Sequence, residues 1–494
     1  MSCNRSPNPR RGIRPAALAC ALLLAGCASS GGLAPQAAPI DANGLQAGQS
    51  LQGAARADAR LPAQDWWKAL GDPQLDALID EALAGTPSLA AADARLRAAQ
   101  AQTRLSDAER KPSLSVSGQY AAAQLPSSMV GDELGGSLQY SAVATLSFKW
   151  SPDIWGGKRA AWEAEVGQAR AAEVDAQAAR LALSANIARA YIGLSEAVEA
   201  RDLARREQQR SSSLQELSGQ RVRAGLDNQL QLRQAEAALA SARAEEQAAQ
   251  QQIDAARNAL AALLGKGPDR GLAIAEPKLL AAPAPQVPAV LPSELLAQRA
   301  DVVAARWRVE AAGHGIAARK AAFKPSFNLN ALVGLVAPNF GDLFDSDSAF
   351  GFGGPAIGLP VFEGGRLRAG LAAADAQYDQ AVAAYDQALV DALQQVADAV
   401  QSTNSLDARA ATLAQARDAA AGALDLASQR YRAGLGTQLD VLSAQRPLLQ
   451  LEQQLAGVRA QRYAASVDLD QALGGGLKPV APPSSSDTAS VHSP

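Results

Sequence analysis

Histidine and cysteine are scarce in this 494-residue chain: His314 and His492, and Cys3, Cys20 and Cys27. His314 stands between Gly313 and Gly315 with no cysteine nearby, and His492 lies in the C-terminal tail. A bound metal needs several converging ligands, so no metal site is expected. Gly225 and Gly434 lie in helical turns without a Walker-type lysine, so no phosphate cradle is expected either. Carboxylates are numerous but sit beside arginines, as in Arg205-Arg206-Glu207, the pattern of solvated charge. The expectation is therefore no catalytic residue and no enzyme. Cys27 is different. It follows Leu24-Ala25-Gly26, and small residues before a cysteine match the bacterial lipobox. There the thiol takes a diacylglyceryl group and cleavage makes the cysteine the new N-terminus. A diacylglycerol and an N-acyl lipid on Cys27 are the only non-protein groups expected.

What precedes Cys27 fits this chemistry. Arg5, Arg10, Arg11 and Arg14 lead into an apolar run from Ala16 to Ala25, too short to span a bilayer as a helix. Residues 1–26 read as a lipoprotein signal peptide. Ala28 follows the cysteine, where an aspartate would favour inner-membrane retention, so the address is the outer membrane. Cleavage would remove four arginines and no acid, so 46 basic residues become 42 against 49 acidic ones. That negative balance excludes nucleic acid as a partner. Only Cys27 would remain, which excludes an internal disulfide. No stretch after Cys27 is continuously apolar for the eighteen or so residues of a membrane helix. If the mature chain crosses a membrane, strands must carry it.

The elements that would hold such a chain in place are mostly helical. Aromatic residues are only 4% and alanine and glutamine dominate long stretches, the composition of long helices packed through small side chains. Two proline-free segments, about 157–220 and 365–429, each predict a helix of roughly 100 Å. Each leads through a glycine turn into a second helix, about 229–264 and 438–473, with Pro447 predicting a kink in the last. Leu435, Leu439 and Leu442, then Leu448, Leu451, Leu455 and Val458, step by three and four, a coiled-coil spacing. The halves repeat. Arg223-Ala224-Gly225-Leu226 with Gln229-Leu230 recurs as Arg432-Ala433-Gly434-Leu435 with Gln438-Leu439, at a constant offset of 209 residues. Lys111-Pro112-Ser113 likewise recurs as Lys324-Pro325-Ser326. The expected organisation is a tether over 27–61, a first repeat over 62–265, a linker over 266–290, a second repeat over 291–474 and a disordered tail over 475–494.

Before each long helix the pattern changes to period two. Leu114, Val116 and Tyr120 alternate with serines and Gln119; Leu138, Tyr140, Ala142, Ala144, Leu146 and Phe148 alternate with polar residues up to Lys149. Phe327 to Leu335 repeats the pattern, and a weaker glycine-rich strand follows over about 349–359. Four strands cannot close a barrel, and an open sheet edge is forbidden in lipid. Together with the outer-membrane address, this favours a barrel assembled from several chains over a water-soluble sandwich.

Several of these segments resemble the TolC-like outer-membrane efflux proteins, in particular their lipidated drug-efflux branch. The anchors are Trp66-Trp67 before Pro73-Gln74-Leu75-Asp76-Ala77-Leu78-Ile79, the two Lys-Pro-Ser strand starts, Leu359-Pro360-Val361-Phe362-Glu363-Gly364-Gly365, and Arg430-Tyr431-Arg432-Ala433-Gly434 leading to Leu439-Asp440-Val441-Leu442. Leu291 to Asp301 is similar to the family's mid-chain signature, with Ala300 in place of the usual proline. The resemblance implies a mainly α fold with a β-barrel portion. Duplicated helical hairpins would form a periplasmic tunnel, and each subunit of a homotrimer would give four strands to a twelve-stranded transmembrane barrel. It also implies a periplasmic adaptor at the tunnel end, an inner-membrane transporter reached through that adaptor, and the outer-membrane lipid around the barrel. The expected function is the exit duct of a tripartite efflux system for small molecules. A duct for type I protein secretion is the alternative. A periplasmic adaptor would carry one hairpin rather than two.

Two residue sets carry functional expectations on this basis. Arg223, Gly225 and Leu226 with Arg432, Gly434 and Leu435 would be adaptor-docking tips, or the turns could be plain glycine C-caps. Leu439 and Asp440 would form a pore gate at the constricted periplasmic end, or Asp440 could be a helix-start acid favoured by the dipole.

Overall fold

The computed structural model describes residues 31–477 except 42–43, 46–48, 52–54, 57–61, 125, 127, 129–130, 132–135, 137, 281, 283, 285–286 and 289–297. The leader and Cys27, the tail beyond 477, and 291–297 of the mid-chain signature lie outside the described residues. The main elements are helices α1 (Pro73–Ala84) and α2 (Pro87–Ala108), strands β1 (Ser113–Gln124) and β2 (Leu138–Trp150), helices α3 (Gly157–Arg223), α4 (Gln229–Leu263) and α5 (Ala300–Ala321), strands β3 (Ser326–Ala337) and β4 (Ala349–Gly358), and helices α6 (Arg366–Arg432) and α7 (Gln438–Ala472). The long helices α3 and α6 have 67 residues each, and α4 and α7 have 35 each. The duplication is therefore matched residue for residue in helix length. Helix α7 runs unbroken through Pro447. Among the described residues no helix is long and apolar enough to cross a membrane.

The chain divides into two compact units, and both draw on both repeats. The first comprises Met1–Pro39, Arg97–Ala171 and Ala305–Tyr385. It holds a four-stranded antiparallel sheet in the order β1-β2-β3-β4. Because alternate side chains of a strand face opposite ways, the register decides which residues share a face. Val116, Leu146, Val333 and Gly351 lie opposite one another in one row, and Leu114, Phe148, Ala331 and Gly353 in another. The rows between them begin Ser115-Ser147 and Ser113-Lys149-Asn330. The apolar residues alternating along β1, β2 and β3 thus share one face, which glycines continue in β4, while Leu332, Phe350 and Phe352 fall in the rows of Ser115-Ser147 and Ser117-Thr145 on the other face. The first of these faces is largely bare: Val116 is 79% exposed and Val333 53%. At one end Leu343 covers Ala142 and Ala337. Glycine lets backbones approach here. A Cβ on Gly334 would lie 2.5 Å from the Ala144 carbonyl oxygen, and one on Gly353 2.9 Å from the Ala331 Cβ. Beside the sheet, α3 and α5 meet through small residues, with Gly167 set against Ala311.

The second unit comprises Ile40–Leu96, Ala172–Ala304 and Asp386–Pro494. Its largest core gathers Trp66, Trp67 and Leu70 with Leu75, Leu78 and Ile79 of α1, Ile187, Tyr191 and Leu194 of α3, and Ile253 and Leu260 of α4. A buried polar knot fixes the start of α1. Asp72 caps the helix by accepting from the Gln74 backbone N–H at 3.0 Å, while its other oxygen accepts from the Tyr191 hydroxyl at 2.7 Å and the Lys278 N–H at 2.7 Å. Gln74 reaches on to Ala275, so the segment after α4 is packed rather than loose. Leu477, at the start of the expected tail, is also buried.

Candidate functional site

The most duplicated local structure lies at the two turns that join α3 to α4 and α6 to α7. In the first, Gly225 has φ +71°, its N–H donates to the Val222 carbonyl at 3.1 Å, and the Leu226 N–H donates to the Arg221 carbonyl at 2.9 Å. In the second, Gly434 has φ +76°, its N–H donates to Tyr431 at 3.1 Å, and the Leu435 N–H donates to Arg430 at 2.8 Å. Both are Schellman endings, which close the last carbonyls of a helix around a left-handed residue. A Cβ at either glycine would meet nothing within 4 Å. The positive φ, not space, is what selects glycine.

The next helix starts the same way in both halves, on a reciprocal capping box. Asn228 accepts from the Leu230 N–H at 2.8 Å while the Gln231 side chain accepts from the Asn228 N–H at 2.9 Å. Thr437 and Asp440 form the counterpart: Asp440 Oδ2 accepts from the Thr437 N–H at 2.7 Å and its hydroxyl at 2.9 Å. The Thr437 backbone bond, followed by the hydroxyl bond, holds the Asp440 carboxyl below its ordinary range. Asp440 is thus a helix-start acid, and it is also solvent-exposed.

These two tight turns push apolar side chains outward. Leu226 and Leu435 are 65% and 73% exposed, and one turn further Leu230 and Leu439 are both 63% exposed. Arg223 and Arg432 flank them and are exposed as well. An exposed leucine alone means little, but here four stand exposed in matched positions, two per turn, with an exposed arginine before each pair.

Behind the turns lies a network that sequence reading missed. Tyr431 is almost fully buried, against Leu214 and Val441. Its hydroxyl donates to Asp227 Oδ2 at 2.6 Å, across 204 residues of sequence. Arg221 pairs with the same Asp227 oxygen at 2.9 Å, stacks its guanidinium 4.6 Å from the Tyr431 ring centre, and donates to the Tyr431 carbonyl at 3.2 Å. The Arg221 contact, with Tyr431 adding to it, holds the Asp227 carboxyl below the ordinary range, and burial raises the Tyr431 phenol. A depressed carboxyl stabilises the fold above its unfolded-state pKa and loses that contribution as pH falls through the lower folded value. The tie is therefore intact at neutral pH and weakens only in acid. Its position in the repeat is not duplicated: Gly436 stands where Asp227 would recur, and Val222 precedes Tyr431 by the same offset. Two further ties join α3 to α7, a contact of Gln445 with buried Glu207, and Arg210 with Glu452 at 2.9 Å.

An exposed apolar sheet, duplicated long hairpins and paired apolar turns have a counterpart among known proteins. The family model for outer membrane efflux proteins matches residues 78–266 and 291–475, one match per repeat. The chain belongs to that family. This outer membrane efflux protein is 40% identical to the fusaric acid resistance protein FusA of Burkholderia cepacia over 378 residues, 75% of this chain and 71% of that protein. It is 33% identical to the outer membrane protein OprJ of Pseudomonas aeruginosa over 466 residues, 93% of this chain and 95% of the other. Among solved structures it is similar to the outer membrane protein VceC of Vibrio cholerae, with a TM-score of 0.77, 37% identity, and coverage of 84% of this chain and all of that one. It is also similar to the open state of the MtrE outer membrane channel of Neisseria gonorrhoeae, with a TM-score of 0.76, 28% identity, and coverage of 90% and 98%. The efflux protein resides in the outer membrane and acts as the exit duct of a tripartite efflux system. Its strands supply barrel wall and its helices tunnel wall.

Proposed function

We propose that this efflux protein works as a homotrimer, held to the outer membrane by lipid on Cys27, whose duplicated turns dock a periplasmic adaptor that links it to an inner-membrane transporter. The observation that carries the trimer is the open sheet. Strands β1 and β4 are edges, and an unpaired edge in hydrocarbon leaves backbone groups costing several kcal/mol each. Pairing β4 of one copy with β1 of the next removes every edge, and three copies give twelve strands.

The tip carries the docking role because four exposed leucines are wasted on a surface that meets only water. The repeat presents that tip twice per subunit and so six times per trimer, a repeating surface for adaptor hairpins. Small-molecule cargo is favoured over secreted protein by the names of the relatives, which include resistance to fusaric acid and export of pyoverdine. Fusaric acid belongs in the first panel of compounds tested.

In this reading Leu439 and Asp440 form a ring at the periplasmic constriction, an apolar plug beside a set of carboxylates. The capping box does not compete with that role, since it uses Oδ2 and leaves the side chain exposed. Asp440→Asn keeps a cap acceptor and removes three charges per trimer. Single-channel recording under a salt gradient is expected to show reduced cation selectivity and weaker block by multivalent cations. Identical reversal potentials in wild type and variant remove Asp440 from the gate and leave it as a cap.

The Asp227–Tyr431 tie would hold the two hairpin ends of a subunit together and keep the tip narrow. Tyr431→Phe deletes a bond to a charged group, a loss of roughly 1.5–3 kcal/mol, while Arg221 still pairs with Asp227. Conductance of the variant in planar bilayers is expected to rise with trimer yield unchanged. Unaltered conductance would make the network a packing feature only.

A further inference from the structure

The first described residues do not behave as a linker. From Leu33 to Ile40 the chain has no helix or strand, yet it lies along α6. Leu33 packs against Leu371, Ile316 and Phe323. The Gln36 and Ala37 N–H groups both donate to Asp379, at 3.0 and 2.8 Å, and the Ile40 N–H donates to Asp386 Oδ1 at 3.0 Å. Leu33, Pro35 and Ala37 are half-buried while Ala34, Gln36 and Ala38 are exposed, so one side of the segment faces the helix.

The spacing of the two partners matches. Leu371, Asp379 and Asp386 are separated by eight and seven residues, which brings them to one stripe of a helix. Along α6, Leu371 to Asp379 rises about 12 Å at 1.5 Å per residue. Four residues of polyproline-type chain, Leu33 to Ala37, cover about 12 Å at 3.1 Å each. From Asp379 to Asp386 the helix rises about 10.5 Å, and Ala37 to Ile40 covers about 9 Å. Pro35 and Pro39 stiffen the segment in that extended form. Neither proline stands at a position whose N–H is used, and each carboxylate meets an N–H that would otherwise face water. A charged acceptor takes such N–H donors more strongly than a neutral one.

We propose that Leu33–Ile40 is a strap whose seat is the Asp379–Asp386 stripe of α6, and that the seated strap sets where the lipid on Cys27 sits relative to the sheet. Only three residues separate Cys27 from Gly31, and α6 begins eight residues after the end of β4. A seated strap leaves the anchor a short reach on the sheet side of the helix. A released strap no longer ties the anchor to that place on α6. The seat thus acts during insertion, by holding the strands close to the leaflet that the lipid has entered. The proposal rests on lipidation of Cys27, which is measured separately below.

Two substitutions break the seat from opposite sides. Asp379→Ala removes the acceptor from the helix. Ala37→Pro removes a donor from the strap, in a segment already extended enough to take proline, and leaves α6 untouched. In membranes from cells expressing the full-length protein, mass spectrometry of the N-terminal peptide reports the lipid. Hydrogen exchange reports the Gln36, Ala37 and Ile40 amides, and heat-modifiable gel migration reports inserted trimer. Wild type is expected to protect these amides. Each variant is expected to exchange the remaining ones at least tenfold faster, to keep its lipid, and to yield severalfold less inserted trimer, with the double variant no worse than either single one. Fast exchange in wild type, or full insertion of both variants despite lost protection, overturns the strap's role. An N-terminus without lipid but with protected amides overturns the anchor reading instead, and the positioning role with it.

Discussion

Val333→Arg is expected to abolish insertion into the outer membrane, whereas Ser147→Arg is expected to leave insertion intact. The two positions lie on neighbouring central strands, but the register puts them on opposite faces of the sheet. Val333 is in the row of Val116 and Leu146, and Ser147 in the row of Ser115. If the apolar face meets lipid, an arginine near the middle of β3 costs about 2–4 kcal/mol in each chain at the bilayer midplane, and three chains share one barrel. On the polar face, which already carries Lys149 two residues from Ser147, an arginine stays in the water of the lumen. Membrane fractionation with heat-modifiable gel migration distinguishes the outcomes. Equal tolerance of both substitutions would mean that the sheet is a solvated sandwich and that the trimeric barrel is wrong for this chain.

The second large effect is expected at the other end of the helices. Changing Leu226 and Leu435 together to aspartate should remove export-dependent resistance while leaving the amount of inserted trimer near normal. Both side chains are mostly exposed, so the free protein loses little; surface substitutions of this kind usually change stability by less than about 0.5 kcal/mol. In a docked complex the same leucines would be buried, each worth about 1.5–3 kcal/mol, and the new carboxylates would have to be desolvated. Resistance and export of a panel compound are measured in a host lacking its own duct, with purified trimer quantified in parallel. Normal export with Leu226, Leu230, Leu435 and Leu439 all replaced would exclude docking through the turns.

Both experiments rest on features of different legibility. The helices and strands could be read from the chain because each is local. Long proline-free, alanine-rich runs gave α3 and α6 to within a few residues at either end, and apolar–polar alternation gave β1 to β3. The glycine-rich β4 was weaker in sequence because Gly351, Gly353 and Gly354 interrupt the apolar period, yet it pairs with β3 over ten residues. The Arg-Ala-Gly-Leu duplication announced the paired turns, since a Schellman ending needs a glycine at a fixed place. The capping box at Thr437 and Asp440 was also local and could have been read from its spacing. Pro447 stands inside α7, where the sequence predicts a kink, and the helix is continuous through it from Gln438 to Ala472.

Tertiary structure alone decided which distant residues meet. Periodicity tells which face of a helix is apolar, not which helix covers it. Nothing near Tyr431 in the chain points to Asp227 and Arg221, and nothing near Gln36 points to Asp379, 343 residues away. The first exists because long helices laid side by side bring positions hundreds of residues apart within hydrogen-bonding reach, the second because an extended segment lies along one of those helices; a carboxylate left there must find donors or remain in water. The sequence by itself determined the duplicated elements, the alternation of the strands and the turns. The packing of those elements determined the buried tie behind the turns and the seat of the strap, because both are made of polar groups whose partners the fold supplies.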